Sequence, residues 1–191
     1  MKKIYAYQIK ISLKKYTPKI WRRVLVPSDT LLCDLHEIIQ LAMGWENDHL
    51  HQFIKDGTSY VEEIDPSFDF GREVDYENTR IADLLVSAKD KMVYEYDFGD
   101  SWEHEILLEK ILEYDPLVKY PICTAGKNNC PPEDCGGIYG YQHLVEVIKN
   151  PKDPEHKDLL EWIGGSFDPE SFDIDEVNRL LNCNSSPASY N

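Results

Sequence analysis

The strictest constraint on this chain is a clean two-residue alternation near its start. Tyr5, Tyr7, Ile9, Ile11 and Leu13 fall on one side, and Ala6, Gln8, Lys10 and Ser12 on the other. Successive side chains of a strand point to opposite faces, so the pattern reads as a strand with one buried face. Residues 14–19, with Pro18, read as a turn. Residues 20–26 read as a second strand, rich in branched and aromatic residues and closed by Pro27, which has no N–H to give a ladder. The two strands predict a hairpin.

The period then becomes helical. Leu31, Leu32, Leu35, Ile38, Ile39, Ala42 and Met43 make one stripe, with Ser28, Asp29 or Thr30 as N-cap and Gly44 as C-cap. Residues 49–55 read as a strand ended by Asp56-Gly57, 65–80 as an exposed loop and 81–88 as a short helix. Residues 92–97 and 102–112 predict a second hairpin around Phe98-Gly99-Asp100-Ser101. Residues 115–140, with Pro116, Pro121, Pro131 and Pro132, read as an irregular, stiffened segment. Helices are predicted over 140–149, over 154–163 with Asp153 as cap, and over 173–181, where Asp173 and Glu176 stand in capping-box register. Strands in a block before helices indicate an α+β class. The expected architecture is a mostly antiparallel sheet over residues 4–112 with one N-terminal helix packed on it, a ββα opening like that of a β-grasp, and a C-terminal helical segment. Residues 1–182 are expected to form a single domain and 183–191 a frayed tail.

The chain has 191 residues, of which 42% are apolar, enough for a core and too many for wholesale disorder. No run approaches the roughly 18–20 apolar residues of a membrane span. No apolar signal segment follows Met1-Lys2-Lys3-Ile4-Tyr5. The five cysteines, Cys33, Cys123, Cys130, Cys135 and Cys183, are then expected to be reduced thiols in the cytoplasm. The net charge of −15 is uneven: residues 1–30 carry +7 and the remainder −22. A net-acidic surface repels nucleic acid at long range. Lys10, Lys14, Lys15, Lys19, Arg22 and Arg23 are nonetheless candidates for a local nucleic-acid contact. The plainer reading is a solvated strand face that attracts the acidic remainder of the molecule.

Four segments together carry a resemblance: Ile20-Trp21-Arg22-Arg23; Leu35-His36 through Ala42-Met43-Gly44-Trp45 to His49-Leu50-His51-Gln52-Phe53; Tyr94 to His104 around Asp97-Phe98-Gly99-Asp100; and Cys130-Pro131-Pro132-Glu133-Asp134-Cys135-Gly136-Gly137 with Gly140-Tyr141. The chain resembles the plasmid pRiA4b ORF-3-like family from about Tyr5 to about Leu181. The resemblance implies no established activity. Some members are linked by label to insertion elements, as passenger or resolvase-type proteins. A serine recombinase needs a nucleophilic serine backed by arginines. Ser12, in a Lys-rich strand, and Ser28, beside Pro27, have no such motif around them.

Several residues have the types that chemistry needs. Asp97, Asp100, Glu103 and His104 gather acids and an imidazole at one turn, suited to a general base or a divalent cation; the plainer reading caps backbone groups and buries His104 with Trp102, Ile106 and Leu108. Glu133 and Asp134 sit in a loop stiffened by two prolines before a helix, as ligand-holding or catalytic groups or as turn residues. Cys123, Cys130 and Cys135, with His104 or His143 as fourth ligand, make a loosely spaced zinc candidate against three packed thiols. His49 and His51, two apart on the expected strand, are further metal candidates if His36 or an acid joins them. Gly-x-x-x-x-Gly-Lys, Gly-x-Gly-x-x-Gly, His-Glu-x-x-His and Gly-x-Ser-x-Gly are all absent. The leading expectation is a non-catalytic binding or accessory module for a protein partner or small ligand, linked to mobile elements. The alternative is a zinc-dependent hydrolase whose 97–104 turn and 133–135 loop share one cleft, and the third reading is nucleic-acid binding.

Overall fold

The alternating segment becomes β1 (Tyr5–Leu13), whose odd-numbered side chains from Tyr7 on are buried while Gln8, Lys10 and Ser12 stay partly exposed. The computed structural model describes residues 3–64 and 71–184. Along the chain, β1 is followed by β2 (Trp21–Pro27), α1 (Leu32–Met43), β3 (His51–Lys55), β4 (Thr58–Val61), β5 (Arg72–Asp75), α2 (Ile81–Leu84), β6 (Lys91–Tyr96), β7 (Trp102–Glu113), β8 (Ile122–Lys127), α3 (Gly137–Ile148), α4 (His156–Trp162) and α5 (Ile174–Asn184). All eight strands belong to one sheet in the order β5-β4-β3-β6-β7-β1-β2-β8.

This corrects the expected architecture. The sheet is mixed, because β4 and β5 run parallel, and it does not end near residue 112, because β8 pairs with β2. Five short helices are distributed along the described chain, so neither one N-terminal helix on a sheet nor a β-grasp opening describes the molecule. The reason is local. Ile122–Lys127 lies among prolines and lacks a clean alternation, and Arg72–Asp75 is a short polar edge strand in a segment that read as loop. Part of that segment, residues 65–70, lies outside the described residues, as do residues 185–191 of the expected tail.

The N-terminal elements form for the reasons the pattern gives. β1 and β2 pair in register from Ala6 opposite Pro27 to Ser12 opposite Trp21. Helix α1 buries Leu32, Leu35, Ile38, Ile39, Ala42 and Met43, and ends at Gly44 with φ +91, the left-handed turn that favours glycine. Its start differs from expectation. Ser28 accepts a hydrogen bond from the Tyr5 N–H and the Thr30 hydroxyl donates to the Pro27 carbonyl, so neither caps the helix. A backbone bridge does so instead, with the Leu32 N–H donating to Thr79 O and the Ile81 N–H to Thr30 O, each at 2.9 Å. Asp173 does open α5, accepting from the Asp175 and Glu176 N–H groups.

One face of the sheet is the core, where Ile9, Ile11, Val24, Val26, Tyr94, Trp102, Ile106 and Leu108 are buried with α1. The other face is half-exposed. Among the described residues, no helix is long and apolar enough to cross a membrane.

Candidate functional site

Three loops converge at one end of the sheet: residues 45–50 after α1, 97–101 between β6 and β7, and 128–136 before α3. Each is fixed from within. Asn47, at φ +63, is held by its N–H to Gln40 Oε1 and by its Oδ1 against His36 Nε2 at 2.6 Å. Because an amide oxygen only accepts, His36 donates there from Nε2, and its Nδ1 accepts from the Tyr94 hydroxyl at 2.8 Å. The Trp45 indole N–H donates to Pro131 O, and its ring stacks on Tyr96 at 5.0 Å, which ties the first loop to the third. The Asp97 N–H donates to Leu50 O, and the Gly136 N–H to Asp100 Oδ2 at 3.1 Å. Gly137, at φ +66, lies so close to this turn that a Cβ there would stand 2.6 Å from the Asp100 carbonyl oxygen.

These contacts deliver four ionisable side chains to one place. His49 Nε2 lies 3.3 Å from Asp134 Oδ1, 3.5 Å from Glu133 Oε2 and 4.0 Å from Asp97 Oδ2. The Nε2 atom is buried and has no hydrogen-bond partner. Asp97 is buried, with its Oδ1 accepting from the Gly99 N–H, and Glu133 Oε1 accepts from the Glu46 N–H and the Tyr96 hydroxyl. Burial, and then the bond to Glu133, push the Tyr96 hydroxyl pKa up, so it stays a donor. Among the described residues no lysine or arginine pairs with Asp97, Glu133 or Asp134.

Of the residues singled out from sequence, Asp97, Glu133, Asp134 and His49 meet here, and Asp100 holds the loop from behind. His104 does not belong to the cleft. It is fully buried in β7, its Nδ1–H donates to Trp102 O at 3.0 Å, and burial lowers its pKa to about 4. His51 does not share a strand face with His49, because β3 begins only at His51. It stacks instead on His36, with ring centroids 3.5 Å apart, and its Nε2 lies 2.6 Å from the Tyr76 hydroxyl. Tyr96 and the Glu46 N–H escaped the sequence reading, since nothing local marks a strand tyrosine or a loop amide as a second layer around a carboxylate.

The zinc set expected from Cys123, Cys130, Cys135 and His104 or His143 is not assembled. Among the described residues the one group of three such donors lying mutually within 4.8 Å is His49, Asp97 and Asp134. Cys123 sits in β8 with its thiol toward Ala125 O, Cys130 is buried, and His143 pairs with Glu155 on the surface. Burial pushes all three thiols up, Cys135 to about 12, so none is poised as a thiolate.

The basic N-terminal residues are engaged within the molecule. Lys14 and Lys15 pair with Glu103, and Arg23 with Glu109. Lys10 lies over the Trp21 ring, whereas Lys19 is engaged, among the described residues, through its backbone carbonyl alone, which receives the Asn128 amide. Arg22 is buried. It donates to the carbonyls of Ala42, Trp21, Lys127 and Asn128, and its guanidinium lies 4.5 Å from the Phe172 ring centre.

A family model described as plasmid pRiA4b ORF-3-like protein matches residues 5–176. The uncharacterized protein y4hQ of Sinorhizobium fredii is 34% identical over 182 residues, which is 91% of this chain and 89% of that protein. The crystal structure of a protein of unknown function, MM3350 from Methanosarcina mazei Go1, is similar at a TM-score of 0.83 and 38% identity, covering 91% of this chain and 98% of that one.

Proposed function

The chain belongs to the plasmid pRiA4b ORF-3-like family, and we propose that within it this protein is a small binding module, without chemistry of its own, whose working surface is the cleft around His49. One observation carries the reading. Three hydrogen-bonded loops hold Asp97, Glu133 and Asp134 around one imidazole, with no lysine or arginine among the described residues to neutralise them. Gathered carboxylates repel one another, and a positively charged ligand relieves that repulsion. The ligand is therefore cationic, either a small ligand or a basic group on a partner. The plasmid origin in the family's description supports an accessory role tied to mobile elements.

The Asp134 side chain is 73% exposed, so Asp134→Lys reverses a charge at the rim without disturbing the core. The test compares wild type and Asp134→Lys in ligand thermal shifts and in cross-linked capture from the native host. An interaction present in the wild type and lost in the variant supports the cleft. If every ligand and partner tolerates the variant, the reading fails.

A second reading, hydrolysis, is favoured by the meeting of the Asp97 turn with the Glu133 loop. The imidazole there is His49, with Glu133 or Asp134 as base toward a water. Turnover of an ester, peptide or phosphoester panel that Glu133→Gln abolishes would establish it, and inactivity of the folded wild type across the panel would remove it.

A further inference from the structure

We infer that the cation received by this cleft is a divalent first-row transition-metal ion, bound by His49 Nε2, Asp97 Oδ2 and Asp134 Oδ1, with the Glu133 carboxylate beside them as a further negative charge. The inference rests on the cleft reading and names its ligand.

The argument begins with spacing. Bonds of about 2.1 Å from one ion to N and O donors, meeting near 109°, hold those donors about 3.4 Å apart, and wider angles extend this to about 4.2 Å. His49 Nε2 lies 3.3 Å from Asp134 Oδ1 and 4.0 Å from Asp97 Oδ2, and donors of all three residues lie within 4.8 Å of one another. The Nε2 atom nevertheless has no hydrogen-bond partner and is shut away from water. A buried imidazole nitrogen facing three carboxylates without bonding any of them is placed for an ion between the groups, and leaving it bare is costly.

The second layer points the same way. Asp97 and Glu133 each use one oxygen to accept from the protein, Asp97 from the Gly99 N–H and Glu133 from the Glu46 N–H and the Tyr96 hydroxyl. That leaves Asp97 Oδ2 and Glu133 Oε2 turned to His49 Nε2. Anchoring of the outer oxygen is what orients carboxylate ligands at metal centres. Asp134, at φ +55 in the proline-stiffened loop, supplies the exposed side through which an ion enters.

The donor set selects the class of ion. One imidazole favours first-row transition metals over Mg²⁺ and Ca²⁺, which prefer all-oxygen sites, and the absence of thiolate from the set disfavours Cu⁺. Mn²⁺, Fe²⁺ and Zn²⁺ fit one nitrogen with two carboxylate oxygens and water in the open positions.

The test uses the full chain, purified without chelating resin and stripped with EDTA, titrated with Mn²⁺ followed by electron paramagnetic resonance and with Zn²⁺ by calorimetry. One ion per chain is expected, with weak or no competition from millimolar Mg²⁺. His49→Gln and Asp134→Asn are expected to weaken binding at least about tenfold while thermal unfolding stays cooperative. Cys130→Ser and Cys135→Ser should bind as the wild type does. Should His49→Gln bind unchanged, or should the cysteine variants lose the ion instead, the assignment is wrong. If folded wild type binds no ion while Asp134→Lys still abolishes partner capture, the metal inference fails and the cleft reading survives. If an ion binds at His49 but no partner or other ligand depends on Asp134, the metal site stands and the wider binding role does not.

Discussion

Burial holds His36 and His104 at a pKa of about 4 and His51 at about 3, well below the ordinary histidine range. The unfolded chain then binds protons that the folded chain refuses, so these residues favour folding fully above about pH 6.5. That contribution is lost as pH falls toward 4, at about 2 kcal/mol each for His36 and His104 by pH 5. The urea midpoint is expected to drop sharply between pH 7 and pH 5, and His36→Gln should flatten the drop; an unchanged midpoint would contradict the neutral histidines. Arg22 offers a second residue-level test. Arg22→Met strands the buried carbonyls of Ala42 and Asn128 and should cost about 3 kcal/mol in chemical denaturation. Arg22→Lys should recover little of that, because an ammonium cannot bridge the carbonyls with a planar fork. The inward position of Arg22 was legible, since it alternates with Val24 and Val26, yet its charge drew it into the nucleic-acid candidates. The partners of His49 were not legible. Its donors come from loops about fifty and eighty-five residues further on, and no spacing rule connects them.

At the scale of elements, periodicity carried the hairpins and α1 because each buries a continuous stripe. β8 was hidden for a physical reason. Its outer edge is satisfied partly by a side chain: the Asn178 amide of α5 accepts from the Cys123 N–H at 2.8 Å and donates to the Cys123 carbonyl at 2.9 Å. A helix side chain standing in for a strand leaves no local signature. Asn178→Ala should therefore cost about 1–3 kcal/mol and speed amide exchange in β8 ahead of β1; equal exchange in the two strands would show that the contact contributes nothing. Gly137 is the point of closest approach between α3 and the Asp100 turn. Gly137→Ala forces the Asp100 carbonyl away from α3 and strains a positive φ, so the 133–136 loop should loosen and metal affinity fall more than global stability does. A parallel loss of both would assign Gly137 to folding alone.

Across the whole molecule, the open face of the sheet is a ladder of compensated charge, with Arg23 and Gln8 on Glu109, Lys15 on Glu103 and Lys91 on Glu105. A bulge places Glu109 as the extra residue of β7 between the pairs Gln8 with Lys110 and Ile9 with Leu108. Cations already paired release few counterions, so retention of DNA is expected to be undetectable even at about 50 mM salt; salt-sensitive binding lost in Lys10→Glu would overturn this. Alternation told which side of β1 is buried but not which strand lies beside it, because side-chain period fixes a face and not a neighbour. That neighbour is β7, so residues 5–13 complete their pairing only with residues 104–113. At about 5–20 residues per second of synthesis, the ribosome needs roughly 5 to 20 seconds to supply them. During that interval a long apolar strand waits with one edge bare, and the nascent hairpin becomes a customer for whatever holds unfinished sheets apart in its host.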